Sequence, residues 1–257
     1  MFAFAIAPSP SSTISILSIL MLGFVLGMRH ATDADHVVAI STIVSRERRV
    51  GSAAWIGALW GTGHTLTIVA VGVGIILFTL VIPPRVGLSM ELSVGLMLVL
   101  LGGLNLRGLN RSWTQATPEA HSSDGHTHSS VERSVDSMDR WFGRWTLYQW
   151  LRPLAVGLVH GLAGSAAVAL LVLTTIHNPR WAVAYLFLFG TGTIAGMMII
   201  TIAMASALQY AGSRSRWVHD RLSLATGLLS VVFGLFIVYQ MGFAHGLFTS
   251  HPAWTPQ

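Results

Sequence analysis

The chain has 257 residues, 53% hydrophobic and only 10% charged, against about 25% charged in an ordinary soluble domain, and its mean hydropathy is +0.64. That balance argues against a water-soluble globular domain and for an all-α polytopic membrane protein. No cysteine is present, which excludes disulfides and thiolate metal sites. The net charge of +5 does not indicate nucleic acid, because the basic residues are few and gathered in particular loops.

In chain order, "MFAFAIAPSPSS" has no positive n-region, so no cleaved signal peptide is expected. Six long apolar segments follow, at residues 14–44, 51–82, 88–106, 147–176, 181–210 and 222–246. The first is long for one straight crossing and is expected to tilt, kink or break. All basic residues are arginine. Most lie in three loops: Arg46, Arg48 and Arg49; Arg107, Arg111, Arg133, Arg140 and Arg144; and Arg214, Arg216 and Arg221. The positive-inside rule puts those loops in the cytoplasm and both termini outside.

The expected organisation is a first transmembrane repeat (1–106), a cytoplasmic loop with an interfacial anchor (107–146), and a second transmembrane repeat (147–257). The loop carries "HSSDGHTH", with His121, His126 and His128 as candidates for metal capture, and ends in the aromatic, basic "MDRWFGRWTLYQW". "GMRHATDADHVVAI" aligns with "GLVHGLAGSAAVAL" at an offset of 130, pairing Gly27 with Gly157 and His30 with His160. "GTGHT" at 61–65 aligns with "GTGTI" at 190–194. Three spans per half make the second copy enter the membrane from the other side. The expected fold is therefore six transmembrane helices in two three-helix inverted repeats, with the site between the halves.

Asp33 and Asp35 are the only acidic residues deep inside an apolar segment. A carboxylate at mid-bilayer costs at least roughly 2.5–3.5 kcal/mol and is read as functional by default. Flanked by His30 and His36, the pair calls for a compensating cation, either Arg29 or a divalent metal. On a straight helix His30, Asp33 and His36 share an arc of about 120° while Asp35 points elsewhere; unwinding near Thr32 would bring Asp35 round. Counting residues from the cytoplasmic loop puts His30 and His64 at similar depth, roughly 21–23 Å from that end. Gly57, Gly61 and Gly63 would let His64 approach the first span. His160 reaches a similar level, with helix packing as its competing role. Imidazole with carboxylate suits Ni, Co, Zn, Cu or Fe rather than Ca or Mg.

"RHATDADHVVAI" resembles the signature of the nickel/cobalt transporter (NiCoT) family, and "GTGHTLTIV", with Gly61, Gly63, His64, Thr65 and Val69, is similar to that family's second motif. The resemblance covers the first half well and implies uptake of Ni²⁺ or Co²⁺ with His30, Asp35 and His36 essential. The second half lacks the acidic motifs of the larger members and is more similar to the short UreH-like branch. The expected metal set is His30, Asp33, Asp35, His36 and His64, with Arg29, Thr65 and His160 as second-shell groups or further ligands. The expected substrate is Ni²⁺ or Co²⁺, with no organic cofactor. The expected partners are the ion, the lipid bilayer and, by analogy, a metallochaperone or urease accessory proteins. Two other readings compete: efflux fed by the cytoplasmic histidines, and an enzyme, since His30 and Asp35 also match the H-x-x-x-x-D spacing of lipid acyltransferases.

Overall fold

The computed structural model describes residues 10–45, 50–78, 82–114, 146–162, 176, 178–214, 216–249, 252 and 254. The elements are α1 (Pro10–His30), α2 (Ala34–Val44), α3 (Val50–Phe78), α4 (Pro84–Thr114), α5 (Thr146–His160), α6 (Pro179–Arg214) and α7 (Arg216–Tyr239). The last runs on into a π-helical turn, Gln240–Ala244. No strand occurs among the described residues. Helix is what an apolar chain adopts when its backbone groups must all be satisfied without water. Three of the helices begin on a proline, Pro10, Pro84 and Pro179. At a first helical position the missing N–H costs nothing and φ is already set.

Four helices are long and apolar enough to cross a membrane: Val50–Phe78, Pro84–Leu109, Pro179–Ser213 and Trp217–Ala244. At most 44% of each span's apolar window is buried, so side chains such as Leu66, Leu100, Ile199, Val232 and Phe236 face outward. Such a belt suits lipid and not water. Leu17–His30 and Ala34–Val44 are shorter apolar helices. The first apolar segment is thus no single straight helix. It breaks at Ala31–Asp33, where Thr32 N–H turns back to the Arg29 carbonyl (2.8 Å) and Asp33 N–H to the His30 carbonyl (3.1 Å). Asp33 is extended, with φ −61° and ψ 148°, and α2 starts after it. The arc computed for a straight helix does not apply across this break.

The fourth segment stops likewise. α5 ends at His160, with Gly161 N–H on the Gly157 carbonyl (2.8 Å) and Leu162 N–H on the Val159 carbonyl (3.2 Å). The end of α1 has the equivalent bonds, Ala31 to Gly27 and Thr32 to Arg29, at the offset seen in the sequence.

Packing between the halves is paired in the same way. A Cβ on Gly27 would collide with the Phe189 carbonyl, and one on Gly157 with the Trp60 carbonyl. Gly192 lies against the Phe24 carbonyl as Gly63 lies against that of Leu154. Small residues at these crossings are what let backbones touch. α3 and α6 are antiparallel: Gly57 meets Met197 and Thr201 while Gly72 meets Leu186. α4 and α7 are antiparallel too, with Gly95 against Gly234 and Gly102 against Gly227. Ser230 Oγ–H donates to the Leu98 carbonyl (2.8 Å) within that crossing. Gly27–Phe189 pairs with Gly157–Trp60, Gly192–Phe24 with Gly63–Leu154, Gly57–Thr201 with Gly72–Leu186 and Gly95–Gly234 with Gly102–Gly227, each at or within two positions of the 130-residue offset, as a two-fold relation between halves produces.

One apolar core, including Ala31, Val38, Ile40, Trp60, Leu98 and Met197, joins α2, α3, α4 and α6 around the two helix breaks.

Candidate metal centre

The breaks after His30 and His160 and the middle of α3 meet. Three helical features set their electrostatics. α1 and α5 both end here, on His30 and His160, and a helix C-terminus carries partial negative charge that favours a cation. α2 begins here, with Asp33 just before it and Asp35 in its first turn, where a helix N-terminus favours carboxylates. Asp33 makes no side-chain cap, because its carboxylate is used elsewhere.

His30, His36, His64 and His160 are all buried, the last three completely. His36 is central: its ring centroid is 4.8 Å from His30, 4.9 Å from His64 and 4.3 Å from His160. His30 Nδ1 lies 2.9 Å from Asp33 Oδ2, and His36 Nδ1 lies 3.0 Å from Asp35 Oδ1. A carboxylate only accepts, so the ring hydrogens are assigned to Nδ1 in both, leaving each Nε2 a bare lone pair. His30 Nε2 faces His64 Nε2 at 2.8 Å, and His36 Nε2 has no partner among the described residues. Potential ligand atoms of His30, His36 and His64 all lie within 4.8 Å of one another. The carboxylates stand behind the histidines, fixing tautomer and orientation as second-shell carboxylates do around metals.

Asp35 does more. Its Oδ2 lies 2.9 Å from His160 Nε2 while its Oδ1 also accepts the His36 backbone N–H (3.0 Å). Asp35 is the less exposed carboxylate, 16% against 42% for Asp33. The break at Ala31–Asp33 therefore gives both aspartates a histidine, which a straight helix would have denied Asp35.

Other expected residues are placed differently. Arg29 is exposed, and among the described residues the ion-pair partners of both aspartates are histidines, so the compensating role foreseen for Arg29 is not seen. Thr65 Oγ1–H donates to the Gly190 carbonyl (3.1 Å), tying α3 to α6 rather than joining the rings. His121, His126 and His128, Arg46, Arg48 and Arg49, and the aromatic anchor up to residue 145 lie outside the described residues.

Trp60 was not singled out in the sequence. Fully buried, it stacks on His36 (6.2 Å, 16° between planes) and meets His160 edge-on (5.5 Å). Its spacing of four from His64 puts both on one face of α3, which is the signal that could have found it. Gly157 and Gly161 seat α5 against Trp60 and His64, and Thr67 Oγ1–H bonds the Leu158 carbonyl (3.0 Å). Together they carry His160 into the cluster.

No family model matches the chain, and no solved structure matches it. Among characterised proteins it is 34% identical to the urease accessory protein UreH of Bacillus sp. (strain TB-90) over 235 residues, 91% of this chain and 96% of that protein. It is 23% and 25% identical to the chloroplast proteins FOR GROWTH AND FERTILITY 2 and 1 of Arabidopsis thaliana, spanning 59% and 60% of their lengths. With the motif at the helix break and a relative matched along nearly its whole length, the chain belongs to the short, UreH-like branch of the nickel/cobalt transporter family.

Proposed function

We propose that the chain is a secondary transporter that carries Ni²⁺ or Co²⁺ inward across the bacterial cytoplasmic membrane. The observation that carries this reading is the convergence of three buried imidazoles, two of them backed by aspartates, where two helices end. The ion sheds water and binds the Nε2 atoms of His30, His36 and His64. His64 moves its ring hydrogen to Nδ1, which is buried with no partner among the described residues, and so frees Nε2. A set of imidazoles suits Ni²⁺ and Co²⁺ and excludes Mg²⁺ and Ca²⁺, which take oxygen ligands.

The paired, antiparallel packing of the two halves supports six crossings in two inverted three-helix repeats, with both termini outside. Rocking of one half against the other then exposes the ion alternately to the two faces. A urease accessory protein among its relatives supports nickel supply to a urease system as the destination, with a metallochaperone or accessory protein receiving the ion. Family membership sets aside the enzyme reading that the acyltransferase-like spacing suggested.

The test is accumulation of radiolabelled Ni²⁺ and Co²⁺ by cells expressing the wild type, His36→Ala or His64→Ala. Uptake by the wild type alone is the expected result. Equal accumulation in all three would defeat the proposal.

A further inference from the structure

A second set of ligand atoms lies beside the first: those of Asp35, His36 and His160 are within 4.8 Å of one another. Asp35 reaches both imidazoles at once, His36 through Oδ1 (3.0 Å) and His160 through Oδ2 (2.9 Å). We propose that Asp35, His36 and His160 form a second cation position, adjacent to the one made by His30, His36 and His64, and that the ion passes from one to the other with His36 common to both. This rests on the proposed transport function and deepens it.

Four observations carry it. His36 is within 5 Å, centroid to centroid, of each of the other three rings, whereas His64 and His160 are 6.0 Å apart. A cation can therefore change partners around His36 without leaving the cluster. His36 Nε2 and His160 Nδ1 are both fully buried without a hydrogen-bond partner among the described residues. Such orphaned groups oppose folding and call for an explanation, of which a ligand is one. α5 ends on His160, so the negative end of its dipole adds to the carboxylate charge at this position. Finally, His160 holds in the second half the place that His30 holds in the first, with the same helix-ending hydrogen bonds.

The two positions differ chemically. The first is three neutral imidazoles; the second has two imidazoles and a carboxylate that neutralises half of a divalent charge. Sharing His36, they cannot both be filled, since two dications so close would repel strongly. They are filled in turn, and the fully buried Trp60, against both His36 and His160, keeps the second position dry.

The experiment uses the purified full chain in lipid nanodiscs with Co²⁺ as probe, reading bound metal per chain and the visible d–d spectrum. His30→Ala/His64→Ala strips the first position to one ligand. One Co²⁺ per chain should remain bound, about 10–100-fold more weakly than in the wild type, with an altered spectrum. Adding His160→Ala should abolish that binding. In proteoliposomes, His160→Ala and His160→Gln should each lower Co²⁺ transport about tenfold or more, although His160→Gln can still donate to Asp35.

Loss of all binding in the double variant, or undiminished binding in the triple variant, would overturn the proposal. Restoration of transport by His160→Gln would do so too, by showing that His160 is a hydrogen-bonding strut. His30→Gln/His64→Gln serves if the alanine variants do not elute as the wild-type species. Absence of Co²⁺ and Ni²⁺ binding by the wild type would instead defeat the transport reading itself.

Discussion

Asp33 and Asp35 are two residues apart, yet the break in the helix gives them unequal work. Asp33 is 42% exposed and, among the described residues, its carboxylate bonds only His30, so water can replace part of what it does. Asp35 is 16% exposed and holds His36 and His160 together. Asp35→Asn should therefore cut Ni²⁺ uptake about 10–100-fold, the usual effect of removing a carboxylate that orients a metal-binding histidine, while Asp33→Asn costs less than about tenfold. Initial uptake rates of the two variants at equal protein level test this, and the reverse order would show that Asp33 governs the site. The sequence made the cluster of ionisable groups plain, and the spacing of His30, Asp33 and His36 put them near one another. It did not reveal that both carboxylates sit behind imidazoles. "RHATDAD" contains neither glycine nor proline, so nothing in its propensities announces a break. The cue was Asp33 itself, a residue favoured just before a helix, here bonding His30 instead of capping α2.

At the scale of helices, hydropathy located the four long spans because lipid exposure demands unbroken apolar runs. It could not show α1 and α5 ending at His30 and His160, since a break of two or three residues is averaged away in a window long enough to find a span. His160 was legible only as a weak echo of His30, because its role depends on α5 meeting α3 through Gly157 and Gly161. That meeting is among the fold's closest backbone approaches. Gly157→Leu would drive a side chain into the Trp60 carbonyl and indole, and overpacking of this kind costs about 1–3 kcal/mol or more. Thermal unfolding in detergent should show a clear fall in Tm for Gly157→Leu and for its counterpart Gly27→Leu. Gly103→Ala, where no described residue beyond its own turn of helix comes within 4 Å of the new methyl, should unfold like the wild type. Equal stability of Gly157→Leu and Gly103→Ala would mean that α5 does not press against α3 as described.

For the whole molecule, the decisive property is that each long helix runs antiparallel to its counterpart. If α3, α4, α6 and α7 cross a bilayer, their antiparallel pairing implies inverted halves, and the positive-inside rule predicts that the arginine-rich loops lie in the cytoplasm. The chain has no cysteine, so an introduced thiol is the sole reactive one. Arg85→Cys, at the start of α4, and Thr249→Cys, after α7, should react with a membrane-impermeant maleimide added to intact cells. Ser213→Cys, near the end of α6, should react only after permeabilisation. All three positions are exposed, so accessibility to the reagent depends on the side of the membrane and not on packing. The positions also test different things: Arg85 and Ser213 lie in different halves, while Thr249 reports the C-terminal end. Labelling of Ser213→Cys from outside as fast as Arg85→Cys would put α6 the wrong way round relative to α4. The paired contacts would then describe a symmetric bundle with no inverted repeat, and alternating access would lose its structural basis.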